Sequence, residues 1–111
     1  MRVGVDCVEI SRFESEHFTD ISFLRKIYTD NEIDYCLSKT PSSQHFAVRF
    51  AAKEAVIKCF REATDLNMKS IEIINTKGYP EVQIIGQDFS RIEISLSHSD
   101  NFAVAVALVI K

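Results

Sequence analysis

The chain has 111 residues, 46% hydrophobic and 26% charged, which excludes disordered, collagen-like and low-complexity readings. That length supports one compact domain, residues 1–111, and not two with separate cores. The net charge of −3 argues against a non-specific nucleic-acid binder, and no apolar run approaches the ~20 residues that span a bilayer.

Residues 2–10 alternate as a strand, with Val3, Val5 and Cys7 on one face and Gly4, Asp6 and Val8 on the other. The N-terminus enters this strand with no apolar leader pattern. The cysteines Cys7, Cys36 and Cys59 are odd in number and form no C-x-x-C, as expected of buried, reduced thiols. Together these features predict a cytoplasmic protein without nucleic-acid or membrane partners. Ser11 with Glu14, and Thr29 with Glu32, have capping-box spacing, so a short helix is expected from Ser11 and a helix carrying Ile33 and Leu37 from Thr29. Ser38 to Ser43, containing Pro41, reads as a loop.

The longest helix is expected over 42–62. At 100° per residue Phe46, Phe50, Ile57 and Phe60 form its core stripe, and Glu54, Lys58 and Arg61 a second stripe beside it. Lys53 falls inside the apolar stripe and Arg49 at its edge, a local inconsistency of the kind found at functional sites. Residues 70–75 and 80–86 read as strands joined by the turn Lys77-Gly78-Tyr79-Pro80, and 91–97 as a third carrying Ile92, Ile94 and Leu96 on one face. Residues 102–110 are apolar on both faces, which predicts a central strand or one covered by a neighbouring subunit. The class is α+β, an antiparallel sheet packed with a long central helix.

Asp6 is unusual in a strand. It reads either as a strand-edge carboxylate satisfied by a backbone N–H or as a ligand for magnesium, which takes one or two carboxylates plus phosphates and water. Glu54 reads as the second carboxylate, or as an i,i+4 surface ion pair with Lys58. Arg49, Lys53, Glu54, Lys58 and Arg61 together suggest a helix that faces phosphate. His98, flanked by Ser97 and Ser99, is either a solvated turn residue or a phosphate donor. His17 and His45 show no partner pattern, and the three histidines do not make a zinc site. Neither the common nucleotide-binding glycine loops nor the hydrolase G-x-S-x-G is present.

Taken in order, these segments resemble one family. Gly4-Val5-Asp6-Cys7-Val8-Glu9-Ile10-Ser11-Arg12-Phe13, Arg49-Phe50-Ala51-Ala52-Lys53-Glu54-Ala55 with Lys58 beyond it, Gly78-Tyr79-Pro80, and Ser95-Leu96-Ser97-His98-Ser99 with Ala103 and Ala105 resemble the motifs of the 4′-phosphopantetheinyl transferases of the holo-acyl-carrier-protein synthase type. The resemblance implies that family's fold. It also implies transfer of phosphopantetheine from coenzyme A to a serine of an apo acyl carrier protein, with magnesium, releasing adenosine 3′,5′-bisphosphate. It makes Asp6 and Glu54 the metal ligands and Lys58 a contact to the phosphates, and sets His98, Ser99 and Pro80 around the nucleotide. Arg49 completes the expected coenzyme A set. Arg12 is expected to meet an acidic helix of the carrier protein, with Arg25 and Lys26 in the same patch and Phe13, Phe18 or Phe23 adding apolar contact. A homotrimer with sites between subunits is implied as well. Two stretches depart from the family's pattern: Phe60 to Asn67 contains no glycine, and Lys39 to His45 has Lys39 as its one clearly basic residue. The alternatives are an inactive member that binds the carrier without transfer and an unrelated α+β oligomerisation domain. The pair Asp6 and Glu54 argues against the former, since a scaffold needs neither.

Overall fold

The structure is a computed structural model that describes residues 1–60, 66–75, 78–86 and 91–110. Strand β1 (Arg2–Glu9) leads through two 3-10 turns, Ile10–Phe13 and Glu16–Thr19, into the short helix α1 (Ile21–Leu24). Helices α2 (Asp30–Leu37) and α3 (Ser42–Cys59) follow, then a 3-10 turn (Met68–Ser70), β2 (Ile71–Ile74), β3 (Glu81–Ile84), β4 (Ile92–His98) and β5 (Phe102–Val109). The expected α+β class holds. One antiparallel sheet has the order β1-β5-β4, and β2 and β3 form a separate antiparallel pair.

Strand β5 is central in the larger sheet, as its two apolar faces require. Its small residues Ala103, Ala105 and Ala107, with Val109, point to the core, while Phe102 and Val106 point outward. The same choice repeats on α3. Of its expected stripe, Phe46 is fully buried, but Phe50, Ile57 and Phe60 are only partly so, and the buried face centres on Ala47, Ala51, Ala52, Ala55 and Val56. Alanine against alanine brings helix and sheet closer than phenylalanine would allow, which is why the buried faces are the small ones. Arg61 and Glu62, the expected end of this helix, and Lys77 of the expected turn lie outside the described residues.

The Thr29–Glu32 capping box forms at the start of α2. The Ser11–Glu14 box does not. The turn begins at Ile10 and is 3-10, with Ile10 and Phe13 buried and the Ile10 N–H donating to Asn101 O at 2.8 Å. Cys36 and Cys59 are buried, and burial pushes the Cys36 thiol up to about 12. Cys7 is a correction, because it lies exposed on the outer face of β1.

Lys53 is no functional group but a structural one. It is fully buried and pairs with Glu32 at 2.6 Å, also donating to the carbonyls of Met68 and Ile71. Burial pushes its ammonium pKa down, and the Glu32 carboxylate opposes that. Glu32 in turn accepts from the N–H groups of Thr29 and Ile73, so one carboxylate ties α2, α3 and β2 together.

Gly4 is where β1 meets α3. A Cβ there would lie 2.0 Å from the Ala55 carbonyl oxygen and 3.1 Å from Lys58 Cβ. Neither backbone can yield cheaply, so Gly4→Ala should push strand from helix. We expect it to cost about 1–3 kcal/mol, the range for overpacking. Urea unfolding checks this; a variant as stable as the parent would show that the strand can shift freely.

Candidate active site

The even-numbered residues of β1 face α3, and this puts Asp6 beside the helix. Lys58 donates from Nζ to Asp6 Oδ1 at 3.0 Å and to the Val5 carbonyl at 2.8 Å. The Asp6 side chain is 16% exposed and that of Lys58 50%. Asp6 Oδ2 is buried and has no hydrogen-bond partner among the described residues. Glu54 precedes Lys58 by one helical turn on the same side of α3 and is partly exposed. The i,i+4 ion pair does not form, because Lys58 goes to Asp6 instead.

An ionised carboxylate oxygen that is buried and unpaired is costly unless something positive approaches it. Asp6 Oδ2 and the Glu54 carboxylate are hard oxygen donors, so the residues present fit magnesium. Among the described residues no group of three or more His, Cys, Asp and Glu gathers. Two carboxylates suit a cation shared with substrate phosphates rather than caged by protein.

The other expected residues lie elsewhere. His98 ends β4, its Nε2 3.0 Å from Gln44 Nε2 in the first turn of α3. The Ser99 hydroxyl oxygen accepts from the N–H groups of Asn101 and Phe102, which leaves its hydrogen to donate outward. His45 stands edge-on to Tyr35; burial first, then Arg49, Lys39 and His98, hold its imidazole below the ordinary range. Arg49 is 5% exposed, with its guanidinium carbon 4.1 Å over the Tyr35 ring and its buried Nε unpartnered. It lines a cavity of about 370 Å³ with Tyr35, Glu32 and Glu72. Pro80 precedes β3, two residues after Gly78, whose φ of +80° suits the turn. The structure thus joins Asp6 with Lys58, and His98 with Gln44, at opposite ends of α3. From Gln44 to Lys58 the helix rises about 21 Å.

Of the expected docking residues, Arg12 and Lys26 are exposed, and Arg25 is exposed and paired with Asp30 at 3.2 Å. Phe13 and Phe18 are buried and pack against each other, rings tilted and centroids 4.9 Å apart, so they cannot serve as surface contacts. Phe23 packs partly buried against Phe18. Sequence reasoning missed Tyr35 and Gln44, and recognised Glu32 only as a capping residue.

An antiparallel α+β sheet with a carboxylate on its first strand and a Glu–Lys helix beside it defines the class of enzyme to which the comparisons point. A family model described as the 4′-phosphopantetheinyl transferase superfamily matches residues 2–107. The chain is 41% identical over 109 residues to a holo-[acyl-carrier-protein] synthase of Thermodesulfovibrio yellowstonii, covering 96% of each chain. Among solved structures it is similar to the Helicobacter pylori holo-[acyl-carrier-protein] synthase in complex with coenzyme A, with TM-score 0.83, 28% identity, and coverage of 97% of this chain and 99% of that one. It is also similar to the Bacillus anthracis holo-(acyl-carrier-protein) synthase in complex with CoA (3′,5′-ADP), with TM-score 0.81, 29% identity, and coverage of 97% and 94%. The chain belongs to the 4′-phosphopantetheinyl transferase superfamily, a family of enzymes. No helix among the described residues is long and apolar enough to cross a membrane.

Proposed function

We propose that residues 1–111 act as one transferase domain that moves 4′-phosphopantetheine from coenzyme A to a serine of an apo acyl carrier protein. The new bond joins the serine oxygen to phosphorus, the phosphorus–oxygen bond to the adenosine side breaks, and adenosine 3′,5′-bisphosphate leaves. The observation that carries this reading is the buried Asp6 Oδ2, unpartnered among the described residues, on a carboxylate paired with Lys58, one helical turn beyond Glu54, in a chain of this family. The coenzyme A complexes of the two solved relatives support it.

Asp6 and Glu54 would hold magnesium, which when bound supplies charge neutralisation at the diphosphate. Lys58, half exposed, has one N–H left for a phosphate oxygen. Glu54 carries no ion pair among the described residues and accepts the serine proton, directly or through one water. Arg49, Pro80, His98 and Ser99 serve the nucleotide. Because His98 and Lys58 attach to opposite ends of α3, we assign the two sets of one coenzyme A to different copies of the chain. A homotrimer supplies them. The outer sheet face supports such assembly: Val3, Val5 and Val106 are 56%, 54% and 42% exposed, a contiguous apolar patch on paired strands. Cys7, Cys36 and Cys59 form no disulfide among the described residues, in keeping with a reducing cytoplasm.

Asp6→Ala and Glu54→Ala should each abolish most transfer while the fold persists. Mass spectrometry after incubation with coenzyme A, magnesium and apo carrier protein reads the phosphopantetheine addition; near-normal turnover in either variant at limiting magnesium removes the assignment. Sedimentation at micromolar concentration should give a trimer, and a stable monomer there would leave the shared site without a basis. Arg12, Arg25 and Lys26 form the carrier-docking patch, since an acidic carrier approaching a chain of net charge −3 requires local basic surface. Arg12→Glu should therefore raise the carrier KM several-fold and leave coenzyme A binding unchanged. An unaltered carrier KM would move docking elsewhere.

A further inference from the structure

Lys58 has three N–H bonds to give, and it gives two of them to β1. One goes to a neutral carbonyl, Val5, which leaves that part of its charge uncompensated. The other goes to Asp6 Oδ1 and neutralises that carboxylate. The remaining oxygen, Oδ2, is buried and unpartnered. Any cation taken by Oδ2 shares a single carboxylate with an ammonium group. Two positive charges on one carboxylate repel, and the second binds more weakly than it would alone. The strain is relieved if the ammonium has another anion to go to. Lys58 is half exposed on a four-carbon stem, so it is free to swing.

We propose that Lys58 is a transferable counter-ion: it neutralises Asp6 while the diphosphate is absent and passes to the diphosphate when coenzyme A binds, releasing Asp6 to the divalent cation. This rests on the transferase reading above and deepens it. Metal and coenzyme A are then coupled through one side chain, and the coupling is reciprocal. The lysine penalises a metal that arrives alone, so the loaded site assembles from metal and coenzyme A together. Lys58 acts here as a positioning residue for the cation as well as a contact to phosphate.

The test is equilibrium binding, not turnover. Mn²⁺ is titrated into the full chain without coenzyme A and followed by the loss of the free-ion electron paramagnetic resonance signal. Lys58→Met should bind Mn²⁺ roughly tenfold more tightly than the parent, since the competing charge is gone. Lys58→Arg, which keeps the charge, should stay near the parent. Lys69→Met, which removes an exposed charge of the same sign outside this cluster, should also stay near it. With coenzyme A saturating, the advantage of Lys58→Met should shrink. Unchanged or weaker Mn²⁺ binding by Lys58→Met without coenzyme A overturns the proposal, as does equal tightening in Lys69→Met. Asp6→Asn separates this failure from that of the underlying reading. If Asp6→Asn binds Mn²⁺ as the parent does, the metal assignment itself falls. If Asp6→Asn loses Mn²⁺ and Lys58→Met gains nothing, only the counter-ion role falls.

Discussion

At one point β1 and α3 touch with no side chain between them. The hydrogen of Gly4 faces the Ala55 carbonyl, and almost everything at the candidate site follows from that closeness. Two residues further along the same strand face, Asp6 comes within reach of a lysine that stands one residue beyond the next two on the helix. A strand held farther off by a methyl group would leave Lys58 short of Asp6 and of the Val5 carbonyl alike. Alanines on both surfaces extend the close approach. Ala103, Ala105 and Ala107 face Ala51, Ala52 and Ala55 across the layer, all fully buried. Small residues here set a distance and thereby a site.

A closely packed helix can still slide or rotate, because a surface of methyl groups offers little relief. The Glu32–Lys53 pair supplies what is missing. Lys53 bonds to Glu32 and to carbonyls just before and at the start of β2, while Glu32 holds the Ile73 N–H and the first turn of α2. These are directional contacts, met in one rotation of α3. A hydrophobic pair of similar volume would often be as stable or more so, since burying two charges is expensive. What the ion pair adds is register. Lys53 adjoins Glu54 in sequence, so fixing the one fixes which way the other points.

Much of this was legible from residue pattern. Alternation revealed β1 and the face that carries Asp6, the Thr29–Glu32 spacing revealed the start of α2, and the two-sided apolar run revealed a central β5. What escaped had one cause: patterns along the chain do not say which partner a group meets across it. Ser11 and Glu14 have the spacing of a cap, but Ile10 and Phe13 are drawn into the core and the segment tightens into a 3-10 turn. Phe13 and Phe18 look like surface aromatics near a basic patch, yet they join Phe46 and Phe50 in one cluster of tilted rings. Lys53 reads as a charge out of place because its partner sits on another helix. Both faces of β5 are apolar, and periodicity alone does not say that the smaller residues go inside. The close packing against α3 does.

The charges of α3 are distributed by the same constraint. Its middle is held in place: Lys53 is locked to Glu32, and Arg49 lies on the Tyr35 ring at the edge of a cavity. Exposed polar groups are left to the helix ends, where Lys58 is half exposed and where Gln44 meets the exposed His98. A helix that must be buried along its length in order to position a strand cannot also carry a continuous phosphate-binding face. Its polar chemistry is divided into two termini about 21 Å apart. On the proposed reading, that division is what makes a second copy necessary: one chain brings the carboxylates and Lys58, another brings Arg49, His98 and Ser99, and the apolar outer face of β1 and β5 is the surface through which they meet.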